Sequence, residues 1–170
     1  MTTQTDQARA AAQALLAKYG VTTAPVPVER IARGEGAKVE YASLDGELSG
    51  IAHIREGIPI IGINSLHAPS RQRFTLAHEL AHVMLHKREL EHAVHVDKGS
   101  LRRDALAAAG VDPLEIQANA FAAELLMPKA LLSKILDGRT VDLEDDEMIA
   151  SLAKRFRVSA AALRFRLEST

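Results

Sequence analysis

Hydrophobic and polar positions change their period several times along the chain, and each change marks an element. Residues 6–19 read as a helix, with Gly20 as its stop. Pro27 opens a second, short helix over VERIAR, closed by Gly34 or Gly36. Three short strand patterns follow, at 38–43, 50–54 and 59–64. The last two are separated by REGI, a plausible hairpin turn. The third, within IPIIGIN, is apolar on both faces, which predicts a strand packed against a helix. A long helical pattern then starts near Pro69 or Ser70 and runs to about Lys87.

No clear period governs 88–111, where His92 and His95 fall. Asp112-Pro113-Leu114-Glu115 is a strong helix start, with Asp as cap, Pro at the first position and Glu at the third. That helix runs to about Met127; Pro128 opens another, which Gly138 ends. An acidic run, 142–147, precedes a last helical region over 148–168, where carboxylates suit the positive end of a helix. The order predicts an α+β fold: a small antiparallel or mixed sheet packed on one long helix, with a helical C-terminal half. The expected organisation is a domain over 1–140 and a helical tail over 141–170 packed on it.

Composition narrows the chemistry. At 170 residues and 47% hydrophobic content, one packed core is expected, built largely from aliphatic residues because aromatics are only 4%. The chain contains no cysteine, which excludes disulfides, cysteine-ligated zinc and thiol catalysis. A net charge of −1 gives no global case for nucleic-acid binding. Neither a signal-peptide pattern nor a run of membrane-spanning length is visible, so a cytoplasmic location without a membrane partner is expected.

The long helix contains FTLAHELAHVMLH, residues 74–86, an apolar stretch that carries three histidines and a glutamate. Polar groups buried there need partners. His78 and His82 are four apart, so their imidazoles share one helix face and can converge on a cation. Glu79 is turned about 100° away, placed to act on a water rather than to bind the same ion. This is the H-E-x-x-H arrangement of zinc peptidases, in which the glutamate is the general base. The extended three-histidine version needs Gly at 85 and His at 88, where this chain has Leu85 and Arg88.

A carboxylate from a later helix is the alternative third ligand. Glu115 is the first candidate, although a glutamate at the third position of a capped helix also suits a capping box. Glu124 is the second candidate. Asn119, one turn beyond Glu115, could orient a ligating histidine from behind. Zinc is the expected ion, though two histidines and a carboxylate also accept Mn, Fe or Co. Tyr41, His86, His92 and His95 are unranked candidates for stabilising an oxyanion. His86 reads foremost as a capping or packing residue and His92 and His95 as surface residues, while His53 and His67 carry no assigned role. The strand at 59–64, or its hairpin partner, is the expected edge for an added substrate strand.

RQRFTLAHELAHVMLH followed by EIQANAFAAELLMP resembles the ImmA/IrrE family of metallopeptidases. The strand pair SGIAHIREGIPIIGIN and the tail LAKRFRVSAAALRFRL are similar to those of the family as well. The resemblance implies a zincin-like zinc endopeptidase with His78, His82 and Glu115 as metal ligands and Glu79 as base. It further implies an Xre-type helix-turn-helix repressor as protein substrate, whose cleavage switches on mobile-element or stress-response genes. Two other readings stay open. One is a non-catalytic zinc-containing partner of the toxin–antitoxin kind. The other is a DNA-binding regulator using the helix-turn-helix-like segment 149–167, which carries five basic residues between 154 and 166 but Arg157 where such turns favour Gly. The charge balance disfavours direct DNA binding.

Overall fold

The computed structural model describes residues 1–98 and 112–170. Among them the helices are α1 (Gln4–Lys18), α2 (Val28–Gly34), α3 (Pro69–Leu85), α4 (Lys87–His92), α5 (Pro113–Leu126), α6 (Lys129–Leu136), α7 (Asp146–Phe156) and α8 (Ala160–Glu168). The strands are β1 (Lys38–Ala42), β2 (Gly50–Arg55), β3 (Ile58–Asn64) and β4 (His95–Asp97). The fold is α+β and mostly helical, with one small mixed sheet, as the sequence pattern predicts.

The sheet order is β1-β3-β2-β4. β2 and β3 form the expected antiparallel hairpin, with Ala52 opposite Ile61. β1 lies parallel to β3 on its other side, Val39 opposite Ile61. β3 is therefore flanked on both sides, and the expectation that 59–64 offers a free edge is corrected. Its two-faced apolarity marks an interior strand. The hairpin partner β2 is covered by β4 from Gly50 to Ala52.

α3 is the centre of the molecule. It packs against β2 and β3 on one side and against α5 on another, while α1 covers α5. Every residue from Thr75 to Val83 is buried. A helix buried all round needs small residues where neighbours come close. Ala77 and Ala81 on α3, and Ala118 and Ala122 on α5, are fully buried. Gly50 does the same for the sheet. A methyl group there would lie 2.5 Å from Thr75 Cγ2 and 2.9 Å from the Gly62 carbonyl oxygen, and 3.5 Å from Glu79 Cγ.

The segment 141–170 supplies two helices, α7 and α8, parted at Arg157, which holds a left-handed φ of 54°, in the helix-turn-helix-like order read from the sequence. The Ser159 hydroxyl then caps α8 by accepting from Ala162 N. α8 is tied to α5 by Arg166, which is 5% exposed. Its guanidinium pairs with the Glu124 carboxylate and donates from Nε to the Met127 carbonyl at 3.0 Å. Glu124, the alternative third ligand, is thus engaged by Arg166, by the Lys129 amide and by Gln13. No helix among the described residues is long and apolar enough to cross a membrane.

Candidate metal centre

α3, β4 and α5 bring four donor side chains together. His78, His82, His95 and Glu115 each offer one atom, and these atoms all lie within 4.8 Å of one another. His78 Nε2 and His82 Nε2 are 3.3 Å apart. Glu115 Oε2 stands 3.1 Å from the first and its Oε1 3.3 Å from the second. A tetrahedral ion with bonds of about 2.0–2.1 Å has ligand atoms about 3.3 Å apart. The spacing of these three residues therefore fits one divalent cation.

The other ring nitrogens explain why the Nε2 atoms are available. Asn119 Oδ1 accepts from His78 Nδ1 at 3.0 Å. His86 Nε2 donates to Gln117 Oε1 at 3.1 Å, and Gln117 Nε2 donates in turn to Gln4 Oε1. With its Nε2 committed as donor, His86 Nδ1 accepts from His82 Nδ1 at 2.9 Å. The network so assigns the hydrogen to Nδ1 in both His78 and His82, leaving a lone pair on each Nε2. Two lone pairs facing a carboxylate repel unless a proton or a cation joins them. His86, read from the sequence foremost as a capping or packing residue, is 3% exposed and orients His82.

Charges are distributed accordingly. Burial pulls His82 down to about 4, helped by the neighbouring His78 and His95 and opposed by Glu115. Burial also works against charge on His78, but Glu115, Glu79 and Asp97 outweigh it and raise its pKa. Glu115 is held far below the carboxylate range by its three histidine partners, against the effect of burial.

His95 is the residue that the sequence reading misplaced at the surface. It lies on the three-residue strand β4 and stacks on the His82 ring at 3.9 Å between centroids. Its Nδ1 donates to Glu79 Oε2 at 2.9 Å and its Nε2 to Glu115 Oε1 at 2.7 Å. Burial opposes its charge, yet these two carboxylates raise it to about 10. Glu79 is completely buried, and burial raises its pKa against the pull of His95. Its second oxygen, Oε1, has no hydrogen-bond partner among the described residues.

The remaining candidates lie elsewhere. Tyr41 donates to Glu29 at 3.1 Å and lines a separate cavity. His92 ends α4, exposed. Asp112 caps α5 by accepting from Leu114 N, while the Glu115 carboxylate turns to the histidines rather than back to the cap.

A helix-borne histidine pair, a buried glutamate between them in sequence and a carboxylate from a second helix define a centre of the metallopeptidase class. The comparisons agree. The family model described as the IrrE N-terminal-like domain matches residues 32–168, and the chain belongs to that metallopeptidase family. It is 35% identical over 111 residues to the radiation response metalloprotease IrrE of Deinococcus radiodurans. That match covers 64% of this chain and 30% of the relative, so the chain corresponds to under a third of that protein. A solved structure of a Mycobacterium tuberculosis transcriptional regulator is similar in fold, with a TM-score of 0.58 at 17% identity. The likeness covers 92% of this chain and 44% of the other.

Proposed function

We propose that the chain is a zinc-dependent endopeptidase that cuts an Xre-type helix-turn-helix repressor and so relieves repression in the cytoplasm. The observation that carries the catalytic part is Glu79: a fully buried carboxylate with one oxygen unpartnered, beside three donor groups spaced for a cation. The substrate is inferred from the family resemblance. In this reading residues 1–140 are the peptidase domain and 141–170 a helical tail on it.

His78, His82 and Glu115 hold the ion, and Asn119 and His86 fix the two imidazoles. A bound zinc supplies a Lewis acid and lowers the pKa of its water to about 7. Glu79 Oε1 takes the proton of the attacking water, and Glu79 later hands it to the leaving amine. Burial favours the protonated carboxyl, so Glu79 can carry that proton between the two steps. His95, charged, spends both its N–H groups on Glu79 and Glu115, so it holds the base against the third ligand and balances their charge. Substrate enters as a strand beside β4, whose outer side is unpaired among the described residues.

The test uses zinc-loaded protein mixed with the Xre-type repressor encoded nearest its gene, followed by mass spectrometry. One cut is expected with the unaltered chain, and a rate about 10²–10⁴-fold lower with Glu79→Gln. Binding without cutting would turn the reading toward a non-catalytic partner. Equal cutting by the variant would remove Glu79 from the mechanism.

A further inference from the structure

A cavity of about 400 Å³, away from the metal centre, lies between α2, β1, the start of α3 and the α7–α8 turn. Its charged lining is one-sided: Arg73, Lys154 and Arg157 against Glu29. Glu29 is already committed. One of its oxygens accepts from Arg33 Nε and Nη2 at 3.0 and 2.8 Å, and the other from the Tyr41 hydroxyl. Arg73 is anchored by Nη2 to the Val26 carbonyl at 2.8 Å, but its Nε is buried with no partner among the described residues. Arg157 faces Arg73 as a like charge. The ion pairs of the described residues include neither Arg157 nor Lys154.

Other features of the cavity point the same way. Arg157 occupies a left-handed backbone position that glycine fills without strain. The start of α3, at Pro69 and Ser70, lines the cavity and has no capping side chain to answer its positive end. Apart from Gln72, whose amide is spent on the Ser65 and His67 carbonyls, the rest of the wall is apolar or aromatic, from Val28, Leu76, Val158 and the half-exposed Tyr41. A concave, partly apolar site with converging cations is built for a small anion that carries a flat or apolar body.

We propose that this cavity binds a small phosphate-bearing molecule of mononucleotide size. The phosphate sits among Arg73, Arg157 and Lys154, and the ring lies against Tyr41 and the apolar wall. The site shares no residue with the metal centre, and the proposal does not depend on peptidase activity.

The experiment is calorimetric titration of the full chain, metal-loaded and metal-stripped, with inorganic phosphate and with each of AMP, GMP, CMP and UMP. At least one nucleotide should bind in the micromolar to sub-millimolar range and more tightly than phosphate alone. Binding should weaken with added salt. The Arg157→Gly/Lys154→Gln variant should lose affinity by about tenfold or more with its metal content unchanged. Its glycine suits the backbone, and both positions are exposed, so the variant tests the site without threatening the fold. The proposal fails if no nucleotide binds at millimolar concentration, or if the double variant binds as well as the unaltered chain. It also fails if duplex DNA binds through these residues while the nucleotides do not.

Discussion

Glu124→Gln separates the two glutamates of α5 that the sequence leaves in competition. Glu124 is 2% and Arg166 5% exposed, and their ion pair joins α5 to α8. The substitution keeps the size of the side chain and an oxygen for the Lys129 amide. It places an amide or a neutral oxygen against a buried guanidinium that then has no counter-charge. Removing one partner of such a pair costs about 3–5 kcal/mol. For a chain of this length each kcal/mol moves the melting temperature by about 2–4 °C, so the expected drop is about 6–20 °C. Combining it with Arg166→Met should recover most of the loss, because the stranded charge is gone and its stem is replaced by an apolar chain of similar length. The assay is thermal denaturation followed by circular dichroism, with bound metal measured in parallel by elemental analysis. Metal content should be unchanged. A drop below about 2 °C would refute the structural role, since even 1 kcal/mol exceeds that. Loss of metal with the melting temperature intact would make Glu124 the ligand.

Four further outcomes follow from the geometry. Glu115→Gln should lower metal affinity by more than about 100-fold, beyond the range for residues that only orient a ligand, with metal content after dialysis as the readout. Asn119→Ala should cost about 10–100-fold in affinity by freeing the His78 ring; an unchanged affinity would show that the 3.0 Å bond orients nothing. Gly50→Ala should destabilise the fold by about 1–3 kcal/mol in denaturant unfolding, because its methyl would meet Thr75 and the Gly62 carbonyl. Metal affinity should fall with falling pH, since ligands must give up their protons to bind. Of the two ligand histidines, His78, whose pKa is raised, takes its proton before His82, which does so only near 4. An affinity flat from neutrality to about pH 5 would contradict that order, since an ordinary histidine has its midpoint near 6.5.

What the sequence made legible was whatever repeats at helical spacing. His78 and His82 are four apart, and so are Glu115 and Asn119; each pair does meet one partner across the α3–α5 contact. The same arithmetic separates the two glutamates: nine residues turn a helix by about 180° beyond whole turns, so Glu115 and Glu124 face opposite ways. His86 was visible as a third member of the row, but its task depends on Gln117 from another helix and was not. His95 left no local trace. A strand of three residues has no period to read, and β4 owes its place to pairing with β2, more than forty residues earlier. The interior position of β3 was hidden for the same reason, because its parallel neighbour β1 is joined to it through β2. Helical structure is written in near neighbours, whereas sheet order is settled between distant ones.

The centre draws its parts from separate stretches of chain, with Glu115 thirty-three residues beyond His82. During synthesis the two histidines therefore leave the ribosome well before the carboxylate that faces them. A chain halted between the two presents a pair of imidazoles without the third group, and without Asn119 or Gln117 to hold the rings. In the ligand set proposed above, hydrolytic capacity is thus withheld from incomplete chains and arrives only when α5 docks on α3.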